Sequence, residues 1–208
     1  GDADGRRWMD GALTEAHARL DRDDLRLEGR LASLVSFAKR HLEDPAYLGW
    51  LQDGEVVRTL NLPRYVDSPV TFKEVAAYVD AVNASENDLF LALHLTDDDT
   101  FVGTVKAGRI DWHAGTADIG IMIGRKDLWG RRIATDALAT LCRHLFEVVG
   151  LRRLTAGVMA TNPAMIKVFE KLGFQREGVF REQDRLGDDY IDHVHLGCLK
   201  PEFLAPET

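Results

Sequence analysis

The chain has 208 residues, of which 45% are hydrophobic, and it carries a formal net charge of −8. This length and composition suit one well-packed globular domain. The acidic balance disfavours a nucleic-acid partner, and no apolar run approaches the ~20 residues of a membrane span. The start of the chain lacks the apolar core of a signal peptide. We therefore expect a cytoplasmic protein with no nucleic-acid or membrane partner, in which Cys142 and Cys198 are reduced thiols.

Residues 1–24 are rich in Asp and Arg and are predicted to form an N-terminal extension, in which Ala12, Ala16 and Leu20 permit a short surface helix. The main domain is expected over 25–200, followed by a C-terminal tail over 201–208. Helices and strands alternate, as is typical of a mixed α/β fold. In chain order the predicted elements are a strand near 25–31, helices near 33–42, 45–60 and 72–84, strands near 88–96, 100–111 and 116–124, a helix over 130–149, a strand over 152–160, a helix over 163–172 and two strands within 175–199. Turns at 96–100 and 187–189 mark hairpins.

The most informative segment joins the strand at 116–124 to the helix at 130–149. Along the strand, Ala117, Ile119, Ile121 and Ile123 alternate with Asp118, Gly120, Met122 and Gly124, which is the period of a strand with two different faces. The two glycines leave one face open, which suggests a bulge or the close approach of a ligand or another backbone. The first turn of the helix offers unpaired backbone N–H groups beside four basic residues, Arg125, Lys126, Arg131 and Arg132. The segment therefore predicts a diphosphate-binding site.

Two blocks of sequence carry a resemblance to a known family. Trp129–Thr135 reads Trp-Gly-Arg-Arg-Ile-Ala-Thr, and Asn162–Phe174 ends in Phe-Glu-Lys-Leu-Gly-Phe. Both resemble the acyl-CoA-binding motifs of the GNAT superfamily of N-acetyltransferases, in the branch related to enzymes that acetylate ribosomal-protein N-termini, polyamines and amino sugars. The segments 47–53 and 56–60 resemble the early helical region of the same branch. The likeness covers roughly residues 25 to 200 and is specific for fold and cofactor, but not for substrate.

The resemblance implies a GNAT fold, with a mixed central sheet of about six to seven strands that is flanked by helices and splayed at the acyl-CoA site. It also implies acetyl-CoA as cofactor, a small-molecule or peptide amine as acceptor, and a possible homodimer. Arg132 stands where the family has glycine. Its side chain either crowds the phosphate loop, since Arg restricts positive φ, or contacts a phosphate itself.

The same resemblance assigns cofactor contacts. It places pantetheine and oxyanion contacts on the backbone of Ile121, Met122 and Ile123, and a further contact at Asn162. The phosphate turn comprises Trp129, Gly130, Arg131, Arg132, Ile133, Ala134 and Thr135, although the Trp129 indole is more typical of packing. Phe169 occupies the position where many relatives have a tyrosine that protonates the departing thiolate. Because Phe cannot donate a proton, water or Tyr190 would have to replace it.

Two residues are candidates for the catalytic base. Asp118 is suggested by the branch, which often has a carboxylate just before Ile-Gly on this strand. His113 lies in the preceding loop and has a suitable unperturbed pKa. For both residues, an exposed or hydrogen-bonded surface role remains the simpler alternative.

Other polar residues have simpler interpretations. Glu182 and Asp184 either line the acceptor pocket or form a solvated edge. His193 and His195 share a strand face, but without a third ligand at a useful spacing they are interpreted as hydrogen-bonded strand histidines, and no metal site is predicted.

The resulting hypothesis is an N-acetyltransferase that transfers acetyl from acetyl-CoA to a primary amine by direct attack. The alternative is a non-catalytic acyl-CoA-binding or regulatory module, motivated by the departures at Arg132 and Phe169. A different acyl group, such as succinyl, also remains open. The motifs of P-loop NTPases and dinucleotide enzymes do not occur in the sequence.

Overall fold

One eight-stranded sheet with helices on both faces forms the centre of the protein in the computed structural model, which describes residue 20 and residues 22–206. The strands are β1 (Arg26–Glu28), β2 (Ala32–Ser36), β3 (Leu89–Leu95), β4 (Phe101–Asp111), β5 (Thr116–Ile123), β6 (Arg153–Met159), β7 (Gln175–Leu186) and β8 (Asp189–Leu199). The helices are α1 (Lys39–Glu43), α2 (Pro45–Gln52), α3 (Gly54–Val57), α4 (Arg64–Asp67), α5 (Phe72–Ala84), α6 (Ile133–His144, continued by a π turn over Leu145–Val149) and α7 (Pro163–Lys171). Short 3-10 turns cover Lys126–Leu128 and Lys200–Glu202.

The strand order is β1-β2-β3-β4-β5-β6-β8-β7, and every neighbouring pair is antiparallel except β5 and β6. The parallel pairing of β5 with β6 ends at Asp118 opposite Thr155. Beyond that point β5 continues to Ile123 and β6 to Met159 without pairing to each other. The two strands therefore diverge and leave a gap in the middle of the sheet, which confirms the predicted splay.

Two hydrophobic clusters hold the helices against the sheet. On one face, which we call the front, α5 packs Val75, Val79 and Val82 into a cluster with Phe90 and Met122. On the other face, the back, α6 and α7 pack apolar side chains into the larger cluster, which includes Leu138, Leu141, Leu145, Ile119, Ile166 and Phe169. Alternate residues of β5 point into the two clusters, as the period of two requires. The gap between β5 and β6 is thus covered by helices on both sides.

Local sequence signals explain where the main helices begin. α7 starts at Pro163 after Asn162, whose side chain accepts a hydrogen bond from the N–H of Met165. α5 starts with a capping box, in which Thr71 and Glu74 satisfy each other's backbone N–H groups. α6 ends through the π turn at Gly150, which adopts a left-handed conformation.

The predicted mixed α/β class is confirmed, and the sheet has eight strands instead of six to seven. The prediction of a helix over 33–42 is wrong for its first half, because residues 32–36 form β2 and are buried on both faces between β1 and β3. A strand buried on both faces has no polar alternation to distinguish it from a helix. The predicted helix over 45–60 is divided at Asp53, whose carboxylate caps α3.

The ends of the domain also pack onto it. Residues 1–19 of the predicted extension, including Ala12 and Ala16, lie outside the described residues, whereas Leu20 is buried in the back cluster. In the predicted tail, Phe203 contacts Phe146 and the N–H of Leu204 donates to Leu172.

Cys142 and Cys198 are free and buried, and burial raises the pKa of the Cys198 thiol to about 11. None of the helices within the described residues is long and apolar enough to cross a bilayer.

Candidate active site

A cavity of about 510 Å³ passes through the gap between β5 and β6. Its lining combines residues from both sides of the sheet, with Tyr47, Tyr65 and Tyr78 from the front helices, and Met165 and Phe169 from α7 on the back. Between them, residues 119–122 of β5 and 157–158 of β6 form the edges of the gap. A molecule entering from the back can therefore meet one entering from the front at these strand edges.

The backbone of β5 offers unpaired groups to the gap. The N–H of Gly124 donates to Val102 of β4, and Met122 pairs with Thr104, so these residues direct their backbone groups away from the gap. Since backbone groups alternate in direction along a strand, Ile121 and Ile123 direct theirs toward β6, beyond the last β5–β6 pair. The Trp129 indole N–H donates to the Ile123 carbonyl at 2.9 Å. Ile121 therefore provides the predicted contact with the fewest competing partners, whereas the backbone of Met122 is occupied by β4.

The two strand glycines have different surroundings. A Cβ added to Gly120 would meet no atom within 4 Å, and this residue lines the cavity. A Cβ added to Gly124 would overlap the indole of Trp50, which packs directly against the backbone there. The open face predicted from the glycines therefore exists at Gly120, while at Gly124 it is filled by a side chain from α2.

Two residues of the basic turn before α6 have a left-handed backbone conformation. Gly130 has φ 77° and Arg132, the N-cap residue, has φ 64° and ψ 10°. The first α-helical bond of this turn runs from the Asp136 N–H to the Arg132 carbonyl, so the N–H groups of residues 133–135 have no acceptor within the helix. The predicted phosphate contacts Gly130, Arg131, Ile133, Ala134 and Thr135 are thus grouped at one helix terminus.

The four basic residues of the turn are not equally available. Lys126 Nζ lies 2.9 Å from a carboxylate oxygen of Asp53, and Arg125 lies 2.6 Å from Asp127. Arg125 lowers the pKa of the Asp127 carboxyl, with a smaller contribution from Arg131. For Arg131 and Arg132, no ion pair occurs within the part of the chain that the structure describes. Their guanidinium groups are therefore the cations of the turn that are freest to meet an anion.

Asn162 and Phe169 belong to the back of the site. The Asn162 side chain caps α7 and its Nδ2 lies 3.4 Å from the Thr59 carbonyl, so its predicted contact with the cofactor competes with two structural bonds. Phe169 is 2% exposed, packs against Phe174 with ring centroids 5.0 Å apart, and forms part of the cavity wall. Its ring provides an apolar surface at the position where the resemblance to the family implies a proton donor in many members.

The two candidate bases lie away from the cavity lining. Asp118 sits where β5 and β6 are still paired; its Oδ1 accepts from the Thr155 hydroxyl at 2.8 Å and its Oδ2 is 3.4 Å from Arg109. His113 is exposed in the turn between β4 and β5, and its N–H donates to Asp111. A catalytic role for either residue stays a prediction.

The front side of the cavity was not identified from the sequence. Tyr47 is 3% exposed, and its burial raises the pKa of its phenol. Tyr78 is 43% exposed, follows Glu74 by one turn of α5, and lies within 5.2 Å of the Lys106 ammonium. The spacing of Glu74 and Tyr78 places them on one helix face. The sequence does not indicate that this face borders the gap, because that depends on how α5 crosses the sheet.

Comparison with known proteins identifies the family. Residues 34–175 match the model of the acetyltransferase (GNAT) domain. The chain is 28% identical over 170 residues to the uncharacterized N-acetyltransferase p20 of Bacillus licheniformis, which covers 81% of this chain and 94% of that protein. It is also 28% identical over 144 residues to the ribosomal-protein-serine acetyltransferase of Escherichia coli (strain K12), covering 69% of this chain and 75% of that protein. Among solved structures, spermidine N-acetyltransferase from Vibrio cholerae in complex with CoA and spermine superposes with a TM-score of 0.73 at 15% identity, covering 83% of this chain and 97% of that one. The chain belongs to the GNAT acetyltransferase family.

Proposed function

We propose that this N-acetyltransferase moves the acetyl group of acetyl-CoA to a primary amine, carried by a small molecule or a peptide N-terminus, that enters the cavity from the front. The observation that carries the proposal is the cavity through the β5–β6 gap, because it connects the back of the sheet, on which α6 packs, to a pocket among the front helices. Membership of an acetyltransferase family supports catalysis over the non-catalytic alternative, and no feature of the residues that the structure describes favours that alternative.

The residues present fit acetyl-CoA as the cosubstrate. The unpaired N–H groups at the start of α6, together with Arg131 and Arg132, suit a diphosphate. The free backbone edge of β5 at Ile121 suits a pantetheine arm, since the amides of that arm can pair with a strand edge. The left-handed conformations at Gly130 and Arg132 lie directly before this terminus. The cosubstrate supplies an activated thioester, and the protein supplies its position.

The chain's own groups then assist the attack. A neutral amine must reach the carbonyl carbon, and the negative charge that develops on the carbonyl oxygen requires a donor. The N–H of Ile121 is our candidate donor, because it faces the gap and has no strand partner within the described residues. The Phe169 wall excludes water from the back of the gap but donates no proton. A thiol with a pKa of ~8.5 is a tolerable leaving group, so solvent can protonate the thiolate.

The charges around the cavity limit the class of amine acceptor that it can bind. Among the described residues that line it, Glu74 is the only carboxylate, while Arg64 and Lys106 are cations. A polyamine has several positive charges, and each needs a partner or exposure to water. The apolar walls and single carboxylate therefore favour an acceptor with one amine on an uncharged or anionic body. The acidity of the whole chain attracts amines in general, but it does not select among them.

A homodimer is also part of this proposal. β7 is an edge strand that exposes Val179 and Phe180, with relative exposures of 49% and 53%. A second copy would cover these side chains and the unpaired strand edge. Sedimentation velocity of the wild type and Phe180→Glu tests this, since the variant should sediment as a monomer.

The experiment for the function has two stages. Calorimetry should give micromolar binding of acetyl-CoA, and release of the CoA thiol should then be followed against mono-amines, polyamines and short peptides. We expect turnover with at least one mono-amine or peptide and weaker turnover with spermidine. Micromolar binding with no turnover across the panel would contradict the proposed activity. Preference for spermidine would contradict the acceptor class alone.

A further inference from the structure

A histidine from β8 reaches toward the gap on the front face of the sheet. In β8, Val194, Leu196 and Cys198 belong to the back cluster, so His193 and His195 point to the front. β8 pairs with β6, with Met159 opposite His193 and Gly157 opposite His195. His193 is therefore separated from the gap by a single strand.

β6 has a glycine, and so no side chain, at the position that the His193 imidazole crosses. A Cβ added to Gly157 would overlap Nε2 of His193, so the ring lies directly over this glycine. Gly157 also lines the cavity, and its carbonyl accepts from the Asn61 side chain at 2.6 Å. Because Gly157 has no side chain, Nε2 of His193 lies against this lining residue, although His193 is not itself part of the lining.

The other ring nitrogen is held by a carboxylate. Nδ1 of His193 lies 2.6 Å from Oδ2 of Asp184, and the two side chains are only 12% and 16% exposed. Because a carboxylate accepts hydrogen bonds, the neutral imidazole carries its proton on Nδ1 and keeps the lone pair on Nε2. The sequence-based interpretation of His193 as a hydrogen-bonded strand histidine is therefore confirmed, and the bond leaves the basic nitrogen facing Gly157.

An irregularity in β7 adjoins Asp184. The register of β7 against β8 shifts between Phe180 and Asp184, and Glu182 in the bulge has φ 52°. The N–H of Glu182 donates to the Asp192 carboxylate at 2.8 Å, which holds the bulge in place. A left-handed conformation at a non-glycine residue is unfavourable, and such bulges redirect side chains beside active sites. Here Asp184 lies on the hairpin side of the bulge, where it pairs with Ile191 and contacts the neighbouring His193 imidazole.

We propose that His193 is the general base of the acetyl transfer and that Asp184 is its positioning residue. This inference rests on the proposed function. The amine nitrogen uses its lone pair to form the N–C bond to the acetyl carbonyl carbon, and the amine proton passes to Nε2 of His193. The C–S bond then breaks, and the electron pair leaves with the thiolate, which takes up one proton. The products are the amide and CoA thiol, and His193 returns to its neutral form by releasing its proton.

The neighbours of His193 favour this role over Asp118. Both Asp118 oxygens already have partners, in Thr155 and Arg109, at the closed end of the β5–β6 pair. The titratable groups that face His193 are Asp184 on β7 and His195 on β8, whose ring centroid is 5.0 Å away, while β6 presents Gly157 without a side chain. His195 has no partner for its buried Nε2 among the described residues, and its ring packs against Phe180 at 4.1 Å. His195 is therefore a matched control on the same strand face.

The test compares three variants with the wild type. His193→Asn keeps a donor for Asp184 but removes the base, and should lower kcat about 10²- to 10⁴-fold, the usual range for general-base catalysis, while the Kd for CoA stays within about twofold. Its pH profile of kcat/KM should lose the acidic limb. Asp184→Asn should lower kcat less, and His195→Asn should keep kcat within about threefold. Nitrogen-15 NMR of the imidazoles in the free protein should show His193 protonated on Nδ1, with this preference lost in Asp184→Asn.

A second experiment leaves His193 unchanged and alters its neighbour. Gly157→Ala should displace the imidazole and reproduce the loss of kcat without weakening CoA binding. An active His193→Asn with an unchanged pH profile, or a wild-type His193 protonated on Nε2, would overturn the inference and leave the proposed function intact. A wild type that binds CoA but acetylates no amine would overturn both.

Discussion

Lowering the pH from 7.5 to 4.5 is expected to destabilise the fold, because His41 and His94 form a buried hydrogen-bonded pair. The Ala38 N–H donates to Nδ1 of His41 at 2.9 Å, so the His41 proton is on Nε2. That nitrogen lies 2.8 Å from Nε2 of His94, which must accept, while Nδ1 of His94 donates to the Asp99 carbonyl at 2.7 Å. Every ring nitrogen has a partner when both rings are neutral. An added proton would place two N–H groups against each other.

The size of the effect follows from the pKa of His41. Burial lowers it from 6.5 to about 4, with further lowering by Arg40 and His94. The unfolded chain then binds a proton that the folded chain excludes, so the contribution is complete above pH 6.5 and is lost as the pH falls toward 4. At 1.36 kcal/mol per pKa unit, the difference between 6.5 and about 4 corresponds to about 3 kcal/mol. This is a large part of the 5–15 kcal/mol that stabilises a typical domain.

Urea unfolding at several pH values between 4.5 and 8 measures this loss. His41→Asn should be less stable at pH 7.5 by about 1–3 kcal/mol, because His94 loses its partner, and should show a shallower decline toward pH 4.5. Part of the slope should remain, since burial also lowers the pKa of His144. The exposed His113→Asn is the control and should behave as the wild type. An unchanged pH slope in His41→Asn would refute the reasoning.

Four further substitutions test the site and its support. Gly120→Ala should change the free energy of unfolding by no more than about 0.5 kcal/mol and raise the KM for the amine. Gly124→Ala should lower the free energy of unfolding by about 2 kcal/mol or more, because its Cβ overlaps Trp50. Equal urea-unfolding midpoints for the two variants would contradict this contrast. Arg132→Gly should stabilise the fold by about 1 kcal/mol by relieving a left-handed arginine, and should bind CoA more weakly with a smaller salt dependence; tighter binding would show that the side chain crowds the loop. Asp136→Ala should cost about 3 kcal/mol, because this carboxylate accepts the N–H groups of residues 30, 31 and 32, and a change below 1 kcal/mol would contradict it.

The sequence predicts those parts of the fold in which local pattern and tertiary role agree. β5 alternates because its two faces meet different clusters, and α7 begins at Asn162-Pro163 because the cap is local. β2 is missed because both of its faces are buried, which removes the alternation. The difference between Gly120 and Gly124 cannot be predicted either, since it depends on where the Trp50 indole lies.

The candidate site divides in the same way. The phosphate turn is a contiguous segment, so its composition and its position before a helix are sufficient to predict it. Two other side-chain pairs, described next, are not contiguous in the sequence and cannot be predicted in this way. His41 and His94 are 53 residues apart and meet only across the front cluster. Asp184 and His193 are 9 residues apart in one hairpin but do not lie opposite each other, because Asp184 pairs with Ile191 and the bulge places Phe180 opposite His193.

The gap itself is maintained by side chains that occupy strand groups on both of its edges. On β5 the Ile123 carbonyl accepts from the Trp129 indole, and on β6 the Gly157 carbonyl accepts from Asn61. Because these side chains occupy the gap edges of both strands, closing the gap would require both side chains to move. The two donors come from the predicted phosphate turn and from the front helical region. In the proposed arrangement, the same contacts therefore fix the cosubstrate side and the acceptor side relative to each other, and the backbone of Ile121 lies between them.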